Sequence, residues 1–516
     1  MKSKIVLHNL GLLAIILGVL MLIPAFVSVV YREPSGLVAF SLTYLVAVTF
    51  GLAMRRRGVG EEMGHKEAVA TVALAWILAG SLGALPYLLL GLAPVDAMFE
   101  SMSGFTTAGA TILTNFNSQG YWILSEAQLG SSLARAFVEE FSSLATLSSA
   151  SEETIYGLLF WRSFTQFLGG MGIILLFIAI LPHLGVAGRE LYSVEGLGLT
   201  KEALTPRVKN TAKIFWRIYL GLVGLEALAL VVLGLPLYDA VCTAFTSLAT
   251  GGFSPRADSI AAYNSPLVDL VVCIFLLIGG TSFLLHYRIL FKGELSAPLR
   301  DTEFKFYIFI ILLSISVLMI WGGIDGDFST KFRYSAFQAA SIMTTTGYVN
   351  NFSYDSWSLA AKLVLIMLML IGGSTGSTGG GIKVGRIMII LKHFHKELLR
   401  ILHPHAVTSV NVGEIVVPEH ILRSVQVYTL LYLMIFIGGS LVFAITEAGN
   451  PSFDAISAIS ASACTLGVIG PGYGVVAIDF GQISLAGRVF GTFLMYLGRL
   501  EIITVLVFLV PDLWKR

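Results

Sequence analysis

The chain has 516 residues, 56% hydrophobic and 13% charged, with a mean hydropathy of +0.82, against about 25% charged in an ordinary soluble domain, which excludes a soluble globular protein. Thirty-three Lys and Arg against 32 Asp and Glu give a net charge of +1, which excludes the broad basic field of a nucleic-acid binder and an acidic tail. Cys242, Cys273 and Cys464 are odd in number and lack Cys-x-x-Cys spacing, so neither a disulfide framework nor a structural zinc site is expected.

A spanning helix needs about 20 mostly apolar residues. In chain order such stretches run over 8–30, 36–54, 67–92, 157–183, 214–235, 265–287, 303–322, 359–373 and on to about 391, 424–446 and 486–510. The first follows Lys2 and Lys4, but its apolar run is long and no small-x-small cleavage site follows, so it reads as a retained helix. Cations collect at Arg55, Arg56, Arg57 and Lys66, at Arg189, Lys201, Arg207, Lys209 and Lys213, at Arg288, Lys292, Arg300 and Lys305, from Lys383 to Arg400, and at Lys515 and Arg516. The positive-inside rule makes that side cytoplasmic, with both termini on it.

Four short segments lie in the opposite connections, running from Asp96 to Gly109, Asp239 to Gly252, Tyr334 to Gly347 and Asp454 to Gly467. Each ends in Thr-x-Gly, and thirteen positions separate its first residue from that glycine. The following spans carry Leu168-Gly169-Gly170, Ile278-Gly279-Gly280, Ile371-Gly372-Gly373 and Leu497-Gly498-Arg499. The expected fold is therefore an all-α polytopic membrane protein: four pseudo-repeated span, pore-helix, span modules around one pore, plus two extra N-terminal helices. The divisions fall at 1–66 for the N-terminal pair, then 67–195, 196–300, 301–402 and 403–516, with an extracytoplasmic insertion at about 112–156.

About ten residues before the Thr are too few to cross a bilayer, so these segments read as re-entrant half-helices. Asp96, Asp239 and Asp454 suit helix N-termini. The partly negative C-terminal ends then point into the membrane, an arrangement that attracts cations. Extended backbone at that depth is tolerated only where it is buried in protein or lines water, which four loops facing one axis achieve. The candidate ion site is Thr107, Ala108 and Gly109; Thr250, Gly251 and Gly252; Thr345, Thr346 and Gly347; and Thr465, Leu466 and Gly467. Backbone carbonyls there replace the hydration shell of a monovalent cation, and glycine supplies backbone angles closed to other residues.

Six glycines in the ten residues 372–381 interrupt the third downstream span, at up to about 1 kcal/mol per helix position. Gly376, Ser377, Thr378, Gly379, Gly380 and Gly381, with Lys383, form a polar loop placed to occlude a pore; a packing seam of small residues is the alternative. A phosphate-binding loop fails on spacing, because Ile382 separates Gly381 from Lys383. Arg499 replaces the second glycine of the fourth signature, and a buried Arg costs at least about 2.5 to 3.5 kcal/mol. It either faces the pore and the Gly-rich loop or pairs with a carboxylate such as Glu501. His393, His395, His403 and His405 sit in or beside a basic stretch and read as solvated. No clustered acids, His or Ser-His-Asp set supports an enzyme.

The chain resembles the Trk/Ktr/HKT superfamily of cation transporters, and its TrkH-type members most. The carriers are Met102-Ser-Gly-Phe-Thr-Thr-Ala-Gly109, Thr250-Gly-Gly-Phe-Ser254, Thr344-Thr-Thr-Gly-Tyr348, Gly467-Val-Ile-Gly-Pro-Gly472, Gly376-Ser-Thr-Gly-Gly-Gly-Ile-Lys383 and Met495-Tyr-Leu-Gly-Arg-Leu-Glu501. The resemblance implies one filter glycine per module, here Gly109, Gly252, Gly347 and Gly467. It implies potassium rather than sodium, since some sodium-preferring plant relatives carry serine in the first loop. It further implies an intramembrane gate at the Gly-rich loop, an inner-membrane homodimer surrounded by lipid, and a cytoplasmic nucleotide-binding regulatory subunit of TrkA type on basic stretches such as 384–402. A sodium-selective or sodium-coupled transporter is the alternative within the superfamily.

Overall fold

The computed structural model describes residues 2–61, 63–124, 128, 131–140, 155–179, 204–403, 409–413 and 415–514. It is mostly helical. Helices α1 (Ser3–Leu20) and α2 (Leu22–Val30) make one span, and α3 (Pro34–Arg57) returns beside them with Arg55, Arg56 and Arg57 at its negative C-terminal end. Then come α4 (His65–Leu89), α5 (Pro94–Phe105), α6 (Leu133–Glu140), α7 (Tyr156–Ala179), α8 (Leu204–Val232) and α9 (Leu237–Leu248). The chain continues through α10 (Pro266–Gly279), α11 (Phe283–Lys292), α12 (Thr302–Trp321), α13 (Phe328–Met343), α14 (Leu359–Ile371) and α15 (Val384–Leu402). It ends with α16 (Glu419–Thr446), α17 (Ala455–Leu466), α18 (Leu485–Arg499) and α19 (Ile503–Leu509). Within the described part of the 112–156 insertion, residues 115–116 pair antiparallel with 122–123 and α6 packs on α3; Glu126, with the rest of 125–127, and residues 129–130 and 141–154 lie outside the described residues.

Three expected spans are not continuous. The stretch 265–287 is α10 and α11, bent by 99° at Gly280, Thr281 and Ser282. The stretch 486–510 breaks after Arg499, and 359–391 breaks at the Gly-rich loop, the one interruption expected. The Gly-Gly signatures have a packing cause. A Cβ on Gly169 would run into the carbonyl of Phe105, one on Gly498 into that of Leu466, and one on Gly279 would sit 2.9 Å from the Leu248 carbonyl oxygen. Phe105, Leu248 and Leu466 are the last residues of α5, α9 and α17. Each of these glycines lets a downstream helix touch the C-terminal end of its own short helix.

Ion pairs hold the ends of the short helices and of the connections beside them. Arg488 donates to Asp96 at 2.6 Å, Arg256 to Asp239 at 3.0 Å, and Arg333 to Asp269 at 2.7 Å. Asp355 accepts from Lys362 at 3.1 Å and from the Gly474 amide at 3.1 Å. Among the three aspartates expected at helix N-termini, Asp454 caps, accepting from Ser457 N at 2.7 Å. Asp96 and Asp239 are instead the third residues of their helices and bind arginines. Helix α13 starts earlier than Tyr334, capped by Asp327 through Thr330 N at 3.1 Å.

Candidate functional site

The four short helices α5, α9, α13 and α17 end in one backbone pattern. After the last helical residue comes an αR residue (Thr106, Ala249, Thr344, Gly467), then a β-branched residue at positive φ: Thr107 at 55°, Thr250 at 52°, Thr345 at 60° and Val468 at 58°. Two residues later a glycine follows at positive φ: Gly109 at 74°, Gly252 at 79°, Gly347 at 82° and Gly470 at 104°. The hydrogen bonds repeat as well: Ala108, Gly251, Thr346 and Ile469 each donate to the residue five back, at 2.9, 2.8, 2.9 and 2.9 Å. Positive φ at a β-branched residue is strained and clusters at functional sites.

This pattern corrects the fourth segment by three residues. Thr465 lies inside α17, its hydroxyl on the Ala461 carbonyl at 2.6 Å, and Gly467 is the αR cap with φ −74°. The triplet equivalent to Thr107, Ala108 and Gly109 is Val468, Ile469 and Gly470. The slip has a local cause: counting began at an aspartate, and Asp454 is an N-cap whereas Asp96 and Asp239 sit at the third helical position.

The four triplets close on one another in chain order. A Cβ on Gly109 would collide with the Gly251 carbonyl oxygen, one on Gly252 with that of Thr346, and one on Gly347 with that of Ile469. On Gly470 it would lie 2.8 Å from the Ala108 carbonyl oxygen. At these four positions only a residue without a Cβ fits. Where the chains leave it, a cavity of about 70 Å³ is lined by Gly109, Gly252, Gly347, Pro471, Arg162 and Arg256, among others. Arg256 is neutralised by Asp239, which also accepts from the Tyr121 hydroxyl at 3.0 Å. Burial, with Asp239 alongside, holds that hydroxyl above its ordinary range, so it remains a donor.

Helix α7 braces two of the loops with side chains one turn apart. Arg162 donates to Glu100 at 2.7 Å, to Thr111 at 3.0 Å and to the Ser254 carbonyl at 3.3 Å. Gln166 donates to the Gly251 carbonyl at 2.8 Å and accepts from Phe253 N at 3.0 Å. All three of Glu100, Arg162 and Gln166 are buried. Sequence reasoning passed over them, yet polar side chains inside apolar spans are costly enough to serve as a signal.

The Gly-rich segment lies against the C-terminal ends of the short helices. Its neck is zipped by Ile382 N to Leu370 O at 3.0 Å, Lys383 N to Ile371 O at 2.8 Å and Val384 N to Gly373 O at 3.0 Å. At its tip, Thr378 Oγ1 donates to the carbonyls of Leu248 at 3.0 Å and Gly279 at 3.1 Å, and receives a bond from Thr250 Oγ1 at 3.2 Å. Gly380 N donates to Thr345 Oγ1 at 2.7 Å. A Cβ on Gly379 would lie 2.9 Å from the Thr344 carbonyl oxygen, and one on Gly380 would overlap that of Gly467.

Arg499 donates to Thr378 O at 2.7 Å and to Gly169 O at 3.0 Å, tying the loop to α7. Its alternative partner is taken: Glu501 accepts from Arg386 at 2.6 Å. Lys383 Nζ donates to Gly379 O. These charged groups are all buried. His393 and His395 lie on α15, His405 is outside the described residues, and no group of three or more His, Cys, Asp or Glu able to hold a metal exists among the described residues.

A family model described as TrkH, cation transport protein, matches residues 37–516. The chain is 35% identical to the Trk system potassium uptake protein TrkH of Salmonella typhimurium, covering 100% of both chains. It is 30% identical to the Trk system potassium uptake protein TrkG of Escherichia coli K12, covering 99% of each. The crystal structure of the potassium transporter TrkH from Vibrio parahaemolyticus superposes with a TM-score of 0.84 at 31% identity, over 100% of both chains.

Proposed function

Since the chain belongs to the TrkH family of cation transport proteins, a family of transporters and not of enzymes, we propose that it takes up potassium as its translocating subunit, with the four-loop ring as filter. The observation that carries this reading is the cyclic contact of Gly109, Gly252, Gly347 and Gly470 with the neighbouring loops' carbonyls. Backbone carbonyls of a closed ring replace water around a dehydrated cation, and their number and fixed spacing discriminate among ions. The C-terminal ends of α5, α9, α13 and α17 add partial negative charge below. Thr107 Oγ1, buried without a partner among the described residues, is a further oxygen for the ion.

Passage is controlled from beneath, where the 372–383 loop sits against the same helix ends with Arg499 and Lys383 placing positive charge in the path. The recurrence of one helix-end pattern supports the modules 67–195, 196–300, 301–402 and 403–516, with 1–66 outside them. The basic C-terminal ends of α3 and α15 support a cytoplasmic face that includes both termini, in the inner membrane. On that face α15, with Lys392, Lys396 and Arg400, is the docking surface for a TrkA-type regulatory subunit on a homodimer.

The test is uptake of potassium, rubidium, sodium and lithium into proteoliposomes by the wild type and by Gly347→Ser. Potassium and rubidium uptake by the wild type, with discrimination lost in the variant, supports the ring. Sodium carried in preference to potassium would move the chain to the sodium-selective reading. Silence toward every cation, persisting after deletion of residues 376–381, would end the channel reading.

A further inference from the structure

Glu303 belongs to neither the ring nor the Arg499 contacts, yet it touches both ends of the Gly-rich loop. It is the second residue of α12, 3% exposed, and a carboxyl so deep is costly unless its oxygens are hydrogen-bonded. One oxygen, Oε1, accepts from Thr375 N at 2.6 Å and from Gly385 N at 2.9 Å. Thr375 lies near the start of the 372–383 loop, and Gly385, just past its end, is the second residue of α15, one of the amides that a helix start leaves unsatisfied. The carboxyl therefore lies where two helix N-termini, those of α12 and α15, present partial positive charge. The fit is close on the other side too: a Cβ on Gly385 would stand 2.6 Å from Thr375 Oγ1 and 3.0 Å from Glu303 Oε1.

The loop's neck is already zipped by its own backbone, so it moves as one body, and what holds that body under the ring must come from elsewhere. At the tip these are Arg499 and the bonds of Thr378 and Gly380 to the short-helix ends. Nearer the neck, Ser374 N donates to Gly280 O at 2.9 Å and Phe283 N to Gly376 O at 3.1 Å, and Glu303 adds a carboxylate tie from α12. We propose that Glu303 is a positioning residue of the gate, a tether from α12 that keeps the 372–383 loop seated, so that opening requires exchanging its two amide bonds. The proposal rests on the reading of that loop as the gate.

The experiment measures rubidium uptake into proteoliposomes without any regulatory subunit, for the wild type, Glu303→Ala, Glu303→Gln and Gly385→Ala. Released from its tether, the loop leaves the pore more often. Glu303→Ala is expected to raise basal uptake tenfold or more, the scale set by the loss of two hydrogen bonds. Glu303→Gln, which keeps an acceptor oxygen, rises less, and Gly385→Ala, which wedges the contact, moves the same way. Uptake that rises while still preferring rubidium over sodium separates an opened gate from a leak through damaged protein. As a second readout, Ser377→Cys in the Glu303→Ala background is expected to react faster with a charged thiol reagent than Ser377→Cys alone. Basal uptake at or below the wild-type level in folded Glu303→Ala and Gly385→Ala protein, with thiol reactivity unchanged, would overturn the tether while a conducting 376–381 deletion left the gate standing. If that deletion conducts no better than the wild type, it is the gate reading that fails.

Discussion

Gly347 faces the carbonyl of Ile469 so closely that any Cβ at 347 would overlap the oxygen. The two residues come from different loops, 122 positions apart in sequence, and their contact is one of four that close the ring. Gly347 also sits at φ +82°, which a side-chain-bearing residue adopts at a cost. Gly347→Ser should therefore deform the ring, and the expected result is a potassium-to-sodium uptake ratio reduced tenfold or more, on the order of 1.4 kcal/mol of discrimination. An unchanged ratio in folded protein would remove Gly347 from the filter.

The fourth loop allows its register to be tested directly. Gly470, at φ +104° and against the Ala108 carbonyl, is in the ring, whereas Gly467, at φ −74°, is in a helix cap whose carbonyl meets Gly380. Gly470→Ala should lower ion discrimination. A Cβ on Gly467 would meet Ala463 O at 2.7 Å and Met369 O at 2.8 Å, so Gly467→Ala should lower thermal stability or alter basal flux while leaving discrimination intact. The reverse assignment of effects would restore the register that the Thr-x-Gly spelling suggests.

Gln166 uses both ends of its amide on the second loop, donating to Gly251 O and accepting from Phe253 N. Gln166→Glu preserves size but replaces the donor with a second acceptor aimed at a carbonyl. The expected outcome is a several-fold fall in the rubidium-to-sodium uptake ratio with protein yield near wild type. Equal loss of uptake for both ions would mean that Gln166 supports the fold alone and not the ring.

The repeat could be read from the sequence because the ring leaves no room for a Cβ at Gly109, Gly252 and Gly347, and close helix contact demands glycine again at Gly169, Gly279 and Gly498. What escaped was direction and distance. Hydropathy scores composition, so the 99° bend at Gly280 and the break after Arg499 looked like continuous spans. In the fourth loop Val468 takes the place of a threonine, and glycines stand at both 467 and 470, so only the end of α17 decides the register. Gln166 and Glu303 meet partners 85 and 72 positions away, separations that no local pattern encodes.

Glu100 and Arg162 form a buried ion pair, at 0% and 2% side-chain exposure, behind the first loop. Removing one partner leaves an uncompensated buried charge, which typically costs about 3 to 5 kcal/mol. Arg162→Met should therefore lower the melting temperature in detergent markedly. Glu100→Gln combined with Arg162→Met should recover part of the loss, since no lone charge remains. If the double variant melts below the single one, the pair is not what the site depends on.

Arg499 has two properties that a single substitution separates: its charge lies below the ring, and its two donors bind Thr378 O and Gly169 O. Arg499→Lys keeps the charge but replaces the planar fork with a single ammonium on a shorter stem, so it does not reproduce both bonds. Arg499→Ala removes both properties. If hydrogen bonding seats the loop, both variants raise basal rubidium uptake, the lysine variant by several-fold and the alanine variant by more. If the charge alone bars the path, the lysine variant stays at the wild-type level while the alanine variant conducts. The geometry favours the first outcome, because the guanidinium bridges the loop tip to α7 and α7 carries the struts of the first two loops. Loosening that bridge while retaining the charge should open the pore without changing which ion it prefers.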